Sequence, residues 1–172
     1  VGYADVLDAE ASADALGHAI RSELPWSYHR ESFFEQYELN CNSGCAPGAL
    51  AALVDSAAEV ARGLVQHMFG VHLAPEVEIA AHRLTAGQAI HIHNDDPVDG
   101  EAPFRLVLTL SGRDNCEGGA LTCHAGPREP AERRYPPGFN HAVVLALSER
   151  SFHSVERVTA GVRYSLIFSF RS

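Results

Sequence analysis

Three side chains in this sequence are of metal-binding types and are spaced so that they can share one ion: His93, Asp95 and, much further along, His153. Two imidazoles and one carboxylate are the donor set that holds a non-haem Fe(II) on one face and leaves its other face open. Shortly after the second histidine come Arg163 and Ser165. A guanidinium is a rigid fork that grips a carboxylate through paired hydrogen bonds, so Arg163 is a candidate clamp for a dicarboxylate cosubstrate beside the iron. These residues point to chemistry carried by a metal. No nucleophile triad or phosphate loop competes with them.

Several of these residues have rival readings. Residues two apart on a strand face the same way, so His91, His93 and Asp95 are all expected to point inward. His91 and His93 form an H-x-H pair of the kind cupins use, which makes His91, His93 and His153 the competing metal set; otherwise His91 lines the pocket and meets substrate. Asp96 replaces Asp95 only if the strand breaks early. For Arg163 the rival is an interstrand salt bridge to one of the 22 acidic residues. The clamp is favoured because an inward arginine without an anion is an expensive unpaired charge. Arg83 and Arg105 either contact a substrate carboxylate or serve structural ion pairs. His18, His29, His67, His72, His124 and His141 read as surface or satisfied core residues.

These side chains need a scaffold. Apolar positions at helical spacing predict helices over residues 6–24, stopped by Pro25, and 47–69, opened by Pro47 and closed by Gly70. An edge strand is expected over 32–40. Further strands are expected over 77–84, 89–95, 104–110, 118–123, 141–147, 152–158 and 162–170. In the last of these Arg163, Ser165, Ile167 and Ser169 share one face. Val162, Tyr164, Leu166, Phe168 and Phe170 share the other, an apolar face that the N-terminal helices should cover. Residues 124–138, rich in Arg, Glu and Pro, read as an exposed loop that could close over substrate. Helices first and strands afterwards favour α+β over a doubly wound sheet, and many short strands favour a sandwich or jelly roll. One domain is expected over 1–172, helical over about 5–70 and jelly roll over about 76–171.

Composition narrows the function classes. With 46% hydrophobic and 20% charged residues the chain is globular, and its net charge of −9 argues against a nucleic-acid partner. No basic stretch followed by an apolar one opens the sequence, and no apolar run approaches the roughly 18 residues of a membrane span. A cytoplasmic protein is expected, with Cys41, Cys45, Cys116 and Cys123 as free thiols. The Cys41-x3-Cys45 pair lacks a matching partner for a zinc knuckle.

In order along the chain, the pattern is Arg83-x3-Gly87-x5-His93-x-Asp95, Arg105 leading an apolar strand, Gly118-Gly119-x-Leu121, Phe139-Asn140 leading 142–147, and His153-x9-Arg163-x-Ser165. From about 77 to 170 the sequence resembles the Fe(II)- and 2-oxoglutarate-dependent oxygenases, in the branch like prolyl 4-hydroxylases. The resemblance implies a double-stranded β-helix, a cupin-like jelly roll, with helices packed outside one sheet. It implies that His93, Asp95 and His153 bind Fe(II), that Arg163 and Ser165 hold the distal carboxylate of 2-oxoglutarate, and that O2 is the oxidant. The family often carries a tyrosine where this chain has Leu84, and an acidic residue where it has Ala120. Halogenating relatives lack the metal-binding carboxylate, so Asp95 points to hydroxylation or another oxidation. The expected substrate is a small molecule or peptide, an amino-acid residue in bacterial natural-product biosynthesis. A cupin-type metalloenzyme that needs no 2-oxoglutarate and a non-catalytic jelly-roll binding module are the alternatives.

Overall fold

The second helix shows most directly how the sequence becomes structure. The computed structural model describes residues 1–3, 5–7, 10–95, 103–112 and 114–172. Helix α2 spans Gly48–Phe69, entered from an extended Pro47 and ended by Gly70, whose left-handed backbone lets its N–H donate to the Gln66 carbonyl at 2.9 Å. Leu50, Val54, Ala57, Ala61 and Val65 form its buried stripe, and each buried Leu or Val contributes roughly 1.5–3 kcal/mol. Helix α1, Glu10–Arg21, is shorter than its apolar pattern suggests. Val6 and Leu7 are apolar, but they lie outside the helix, pinned by Asn140, which accepts from both their backbone N–H groups at 3.1 and 3.0 Å. Among the described residues no helix is long and apolar enough to cross a membrane.

Twelve strands follow one another among the described residues: β1 Gly2–Tyr3, β2 Ser27–Arg30, β3 Glu35–Asn40, β4 Val77–Thr85, β5 Ile90–His93, β6 Phe104–Thr109, β7 Cys116–Gly118, β8 Leu121–His124, β9 Ala131–Tyr135, β10 His141–Ala146, β11 His153–Val155 and β12 Val158–Phe170. They form two antiparallel sheets. The larger has the order β1-β10-β6-β12-β4-β3-β2, with β7 also paired to β12, and the smaller has the order β5-β11-β8-β9. This is a double-stranded β-helix in the α+β class, as expected. Both helices pack outside the larger sheet, where Leu166, Phe168 and Phe170 of β12 join Leu16, Ile20, Val54 and Val65 in the main core. The opposite face of the same strand looks into the roll.

Three expectations change. Strand β3 is not an edge, because it is paired on both sides; the edge is β2, whose Ser-Tyr-His-Arg sequence is exposed throughout. The expected loop at 124–138 contains β9, an exposed strand paired to β8. The strand expected over 152–158 is two strands, because β11 ends at Val155 and β12 starts at Val158, bonded there to the turn at Gly87 and Gln88.

Candidate active site

Strands β5 and β11 lie side by side, with His93 directly opposite His153. Their register slips between this pair and the next, Ile90 with Val155, so β5 carries one extra residue, a β-bulge. The bulge cancels strict alternation. Ile90 and His93, three apart, both face the inner cavity, and His91 is exposed. His91 therefore lies outside the cluster, in a separate polar pocket with Arg30, Glu35 and Arg157. The three-histidine set is not assembled. Asp95 also arrives differently from the expectation: the strand ends at His93, and Asp95 has a left-handed φ of 47° that swings its carboxylate back. Asp tolerates this region better than most residues. Asp96, the rival carboxylate, lies outside the described residues.

His93 Nε2 and His153 Nε2 stand 3.3 and 3.2 Å from the same Asp95 Oδ2, and the two ring centroids are 4.3 Å apart. All the potential ligand atoms fall within 4.8 Å of one another. Each histidine turns its Nδ1 to a carbonyl two residues earlier: His93 to His91 and His153 to Ser151, both at 2.8 Å. Donation there places the proton on Nδ1 and leaves both Nε2 lone pairs facing the carboxylate. Three electron-pair donors aimed at one point repel one another unless a cation lies between them, so the set fits a divalent metal with an open face. Asn94 and Ser151 tie the two ligand-bearing segments together, through Asn94 Nδ2 to the Glu149 carbonyl at 3.3 Å and Ser151 Oγ to the Asn94 carbonyl at 3.1 Å. Burial pushes the Asp95 carboxyl up, but contacts with His153 and His93 and the charge of Arg105 outweigh it and hold the group well below the carboxylate range.

Arg163 is 2% exposed and lines the same cavity as the triad. Its Nη1 donates to Ser165 Oγ at 2.8 Å, its Nε has no partner, and no carboxylate pairs with it among the described residues. Burial lowers its pKa to about 10. A buried cation with unspent donors is complementary to an incoming carboxylate. Gly119 makes the room: it has a φ of 65°, and a Cβ there would meet Arg163 Cδ at 3.0 Å and Val158 Cγ2 at 3.3 Å.

The two other arginines part company. Arg105 enters the site but ion-pairs with Asp95. Arg83 does not enter; it lies on the helix-side face of β4, 4.1 Å from the Tyr37 ring centre and 5.1 Å from that of Trp26. No motif marks His82, which lines the triad cavity and also an adjoining groove of about 310 Å³ that shares Arg105 and Ile167. Only strand pairing reveals it, because His82 is opposite Ser165 in the sheet.

The sequence model of the 2OG-Fe(II) oxygenase superfamily matches residues 79–171. No curated protein sequence matches the chain. Among solved structures, a Pseudomonas putida prolyl-4-hydroxylase superposes with a TM-score of 0.77 at 20% identity, over 99% of this chain and 91% of that one. A Trichoplax adhaerens prolyl hydroxylase, bound to a peptide fragment of the hypoxia inducible factor oxygen degradation domain, gives 0.79 at 12% identity, over 99% and 82%. A viral collagen prolyl hydroxylase from Paramecium Bursaria Chlorella virus-1, solved with 2OG, gives 0.68 at 14% identity, over 100% and 95%. At these identities the likeness is one of fold.

Proposed function

The chain belongs to the 2OG-Fe(II) oxygenase superfamily, and from that premise we propose that it hydroxylates an unactivated C–H bond of an amino acid, free or within a peptide. His93, Asp95 and His153 hold the Fe(II), and Arg163 with Ser165 holds the distal carboxylate of 2-oxoglutarate. The observation that carries this reading is the pairing of two unmet needs in one cavity. Three lone-pair donors converge beside a buried arginine that has no anion among the described residues.

Fe(II), with 2-oxoglutarate and O2, supplies the oxidising power for C–H cleavage as the keto acid is converted to succinate. The chain's own share is placement and dryness. The carbonyls of His91 and Ser151 fix the two imidazoles in the ligating tautomer. His153 and His93, and then the charge of Arg105, hold the Asp95 carboxylate ionised, and the ion pair with Arg105 orients it. Ile90, Val107, Leu121 and Val155 wall the cavity and exclude water. No side-chain general base is required. The groove shared through His82 and Arg105 is the approach we assign to substrate, and a peptide in the Trichoplax relative's complex is consistent with a peptide here. Four free thiols, Cys41, Cys45, Cys116 and Cys123, suit the reducing cytoplasm we assign.

The test is anaerobic absorption. Fe(II) and 2-oxoglutarate added together to the wild type should raise a weak visible charge-transfer band, and in air the enzyme should form succinate. His153→Ala should lose both. Undiminished turnover in that variant would move the third ligand elsewhere.

A further inference from the structure

A row of polar residues crosses the inner face of the larger sheet in register: Thr109 on β6, Ser165 on β12, His82 on β4 and Glu38 on β3. Opposed residues on one face have Cβ atoms about 5 Å apart, so His82 stands directly beside Ser165. Its ring lines the cavity that contains Arg163 and the triad. Gln36, only 4% exposed, turns its amide Nε2 to His82 Nε2 at 3.5 Å. The Glu38 carboxylate lies farther from the same nitrogen, at 3.8 Å, so the amide is its nearer partner; an amide nitrogen only donates, which leaves the imidazole proton on Nδ1. No hydrogen bond to that Nδ1 forms among the described residues. Burial, and then the charges of Arg163 and Arg105, push the His82 pKa down to about 3, so the ring is neutral at ordinary pH.

A carboxylate offers about four lone-pair sites. Arg163 already spends one of its donors on Ser165. Resting on the assignment of Arg163 and Ser165 as the cosubstrate clamp, we infer that His82 is a further ligand of the distal carboxylate, donating from Nδ1, with Gln36 fixing its tautomer. His82 lies on a different strand from Arg163 and Ser165, so the carboxylate is held from two sides and the keto acid is fixed in rotation as well as position.

The experiment compares two keto acids in protein loaded anaerobically with Fe(II): 2-oxoglutarate, and 2-oxopentanoate, which has the same chain length but no distal carboxylate. Charge-transfer absorption reads binding without turnover. His82→Phe keeps a ring and loses the N–H; His82→Leu replaces it where the larger ring disturbs folding. Either variant should require about tenfold more 2-oxoglutarate, a loss of ~1.4 kcal/mol. Its titration with 2-oxopentanoate should match that of wild type, and His82→Gln, which retains a donor, should recover part of the loss. An unchanged 2-oxoglutarate titration overturns the inference, and so does equal weakening of both acids. If the wild type itself gives no band with 2-oxoglutarate, the metal-site reading fails together with this one, a failure visible before any variant is compared.

Discussion

Replacing Arg163 with methionine should leave the ligand-free fold at least as stable while abolishing its response to cosubstrate. The guanidinium is buried with one hydrogen bond, to Ser165 Oγ, and no carboxylate beside it among the described residues. Burial brings its pKa from 12.5 to about 10, which corresponds to roughly 3 kcal/mol against the charged form. A base whose folded pKa is depressed is penalised wherever it is charged. The cost therefore applies in full at neutral pH and is relieved only as pH rises past about 10. Methionine fills similar space without charge, so Arg163→Met should gain up to about 3 kcal/mol, reduced by whatever packing it loses. The assay is denaturant unfolding of both proteins, loaded anaerobically with Fe(II), with and without 2-oxoglutarate. At a cosubstrate concentration 100 times its Kd the wild type should gain about 2.7 kcal/mol, and the variant should gain nothing measurable. A structural role predicts the reverse, because removing one partner of a buried ion pair costs about 3–5 kcal/mol. A loss of that size without cosubstrate would refute the clamp.

Gly119→Ala should destabilise by about 1–2 kcal/mol through its left-handed backbone. It should also weaken 2-oxoglutarate binding, since the new Cβ pushes on the Arg163 stem; unfolding and charge-transfer titration measure the two effects, and unchanged affinity would separate the glycine from the clamp. His91→Ala should leave Fe(II) binding within twofold of wild type, because the bulge in β5 turns His91 away from the triad. A large drop in metal affinity would revive the three-histidine set.

What was legible in the sequence was whatever had a strong apolar period. Helix α2 carries Pro47, an apolar stripe and Gly70, three signals that agree. Strand β12 alternates so cleanly that its cavity face and its helix face could be told apart from the residues alone. The short strands β2 and β9 left no such trace, because nearly every residue in them is exposed and no apolar face was needed. Arg83, open in the sequence between a substrate contact and a structural pair, is a related case. Strand β4 carries polar residues on both faces, Glu78 and His82 on one and Arg83 and Thr85 on the other, so alternation does not mark which way Arg83 points.

Residue type and order single out the same three side chains that the structure brings together, but strand alternation is not what brings His93 and Asp95 there. Alternation along one strand would have brought His91, His93 and Asp95 to one side together, three candidates for two places. The chain separates them with two local irregularities. One extra residue in β5 sends His91 outward while keeping Ile90 and His93 inward. A left-handed turn at Asp95, beyond the end of the strand, then returns the carboxylate to the histidines. Neither device has an apolar signature, since each is a property of backbone register and conformation. A regular strand would have delivered more ligands to the centre and aimed them less selectively, so here it is the breaks in the sheet that set which side chains meet.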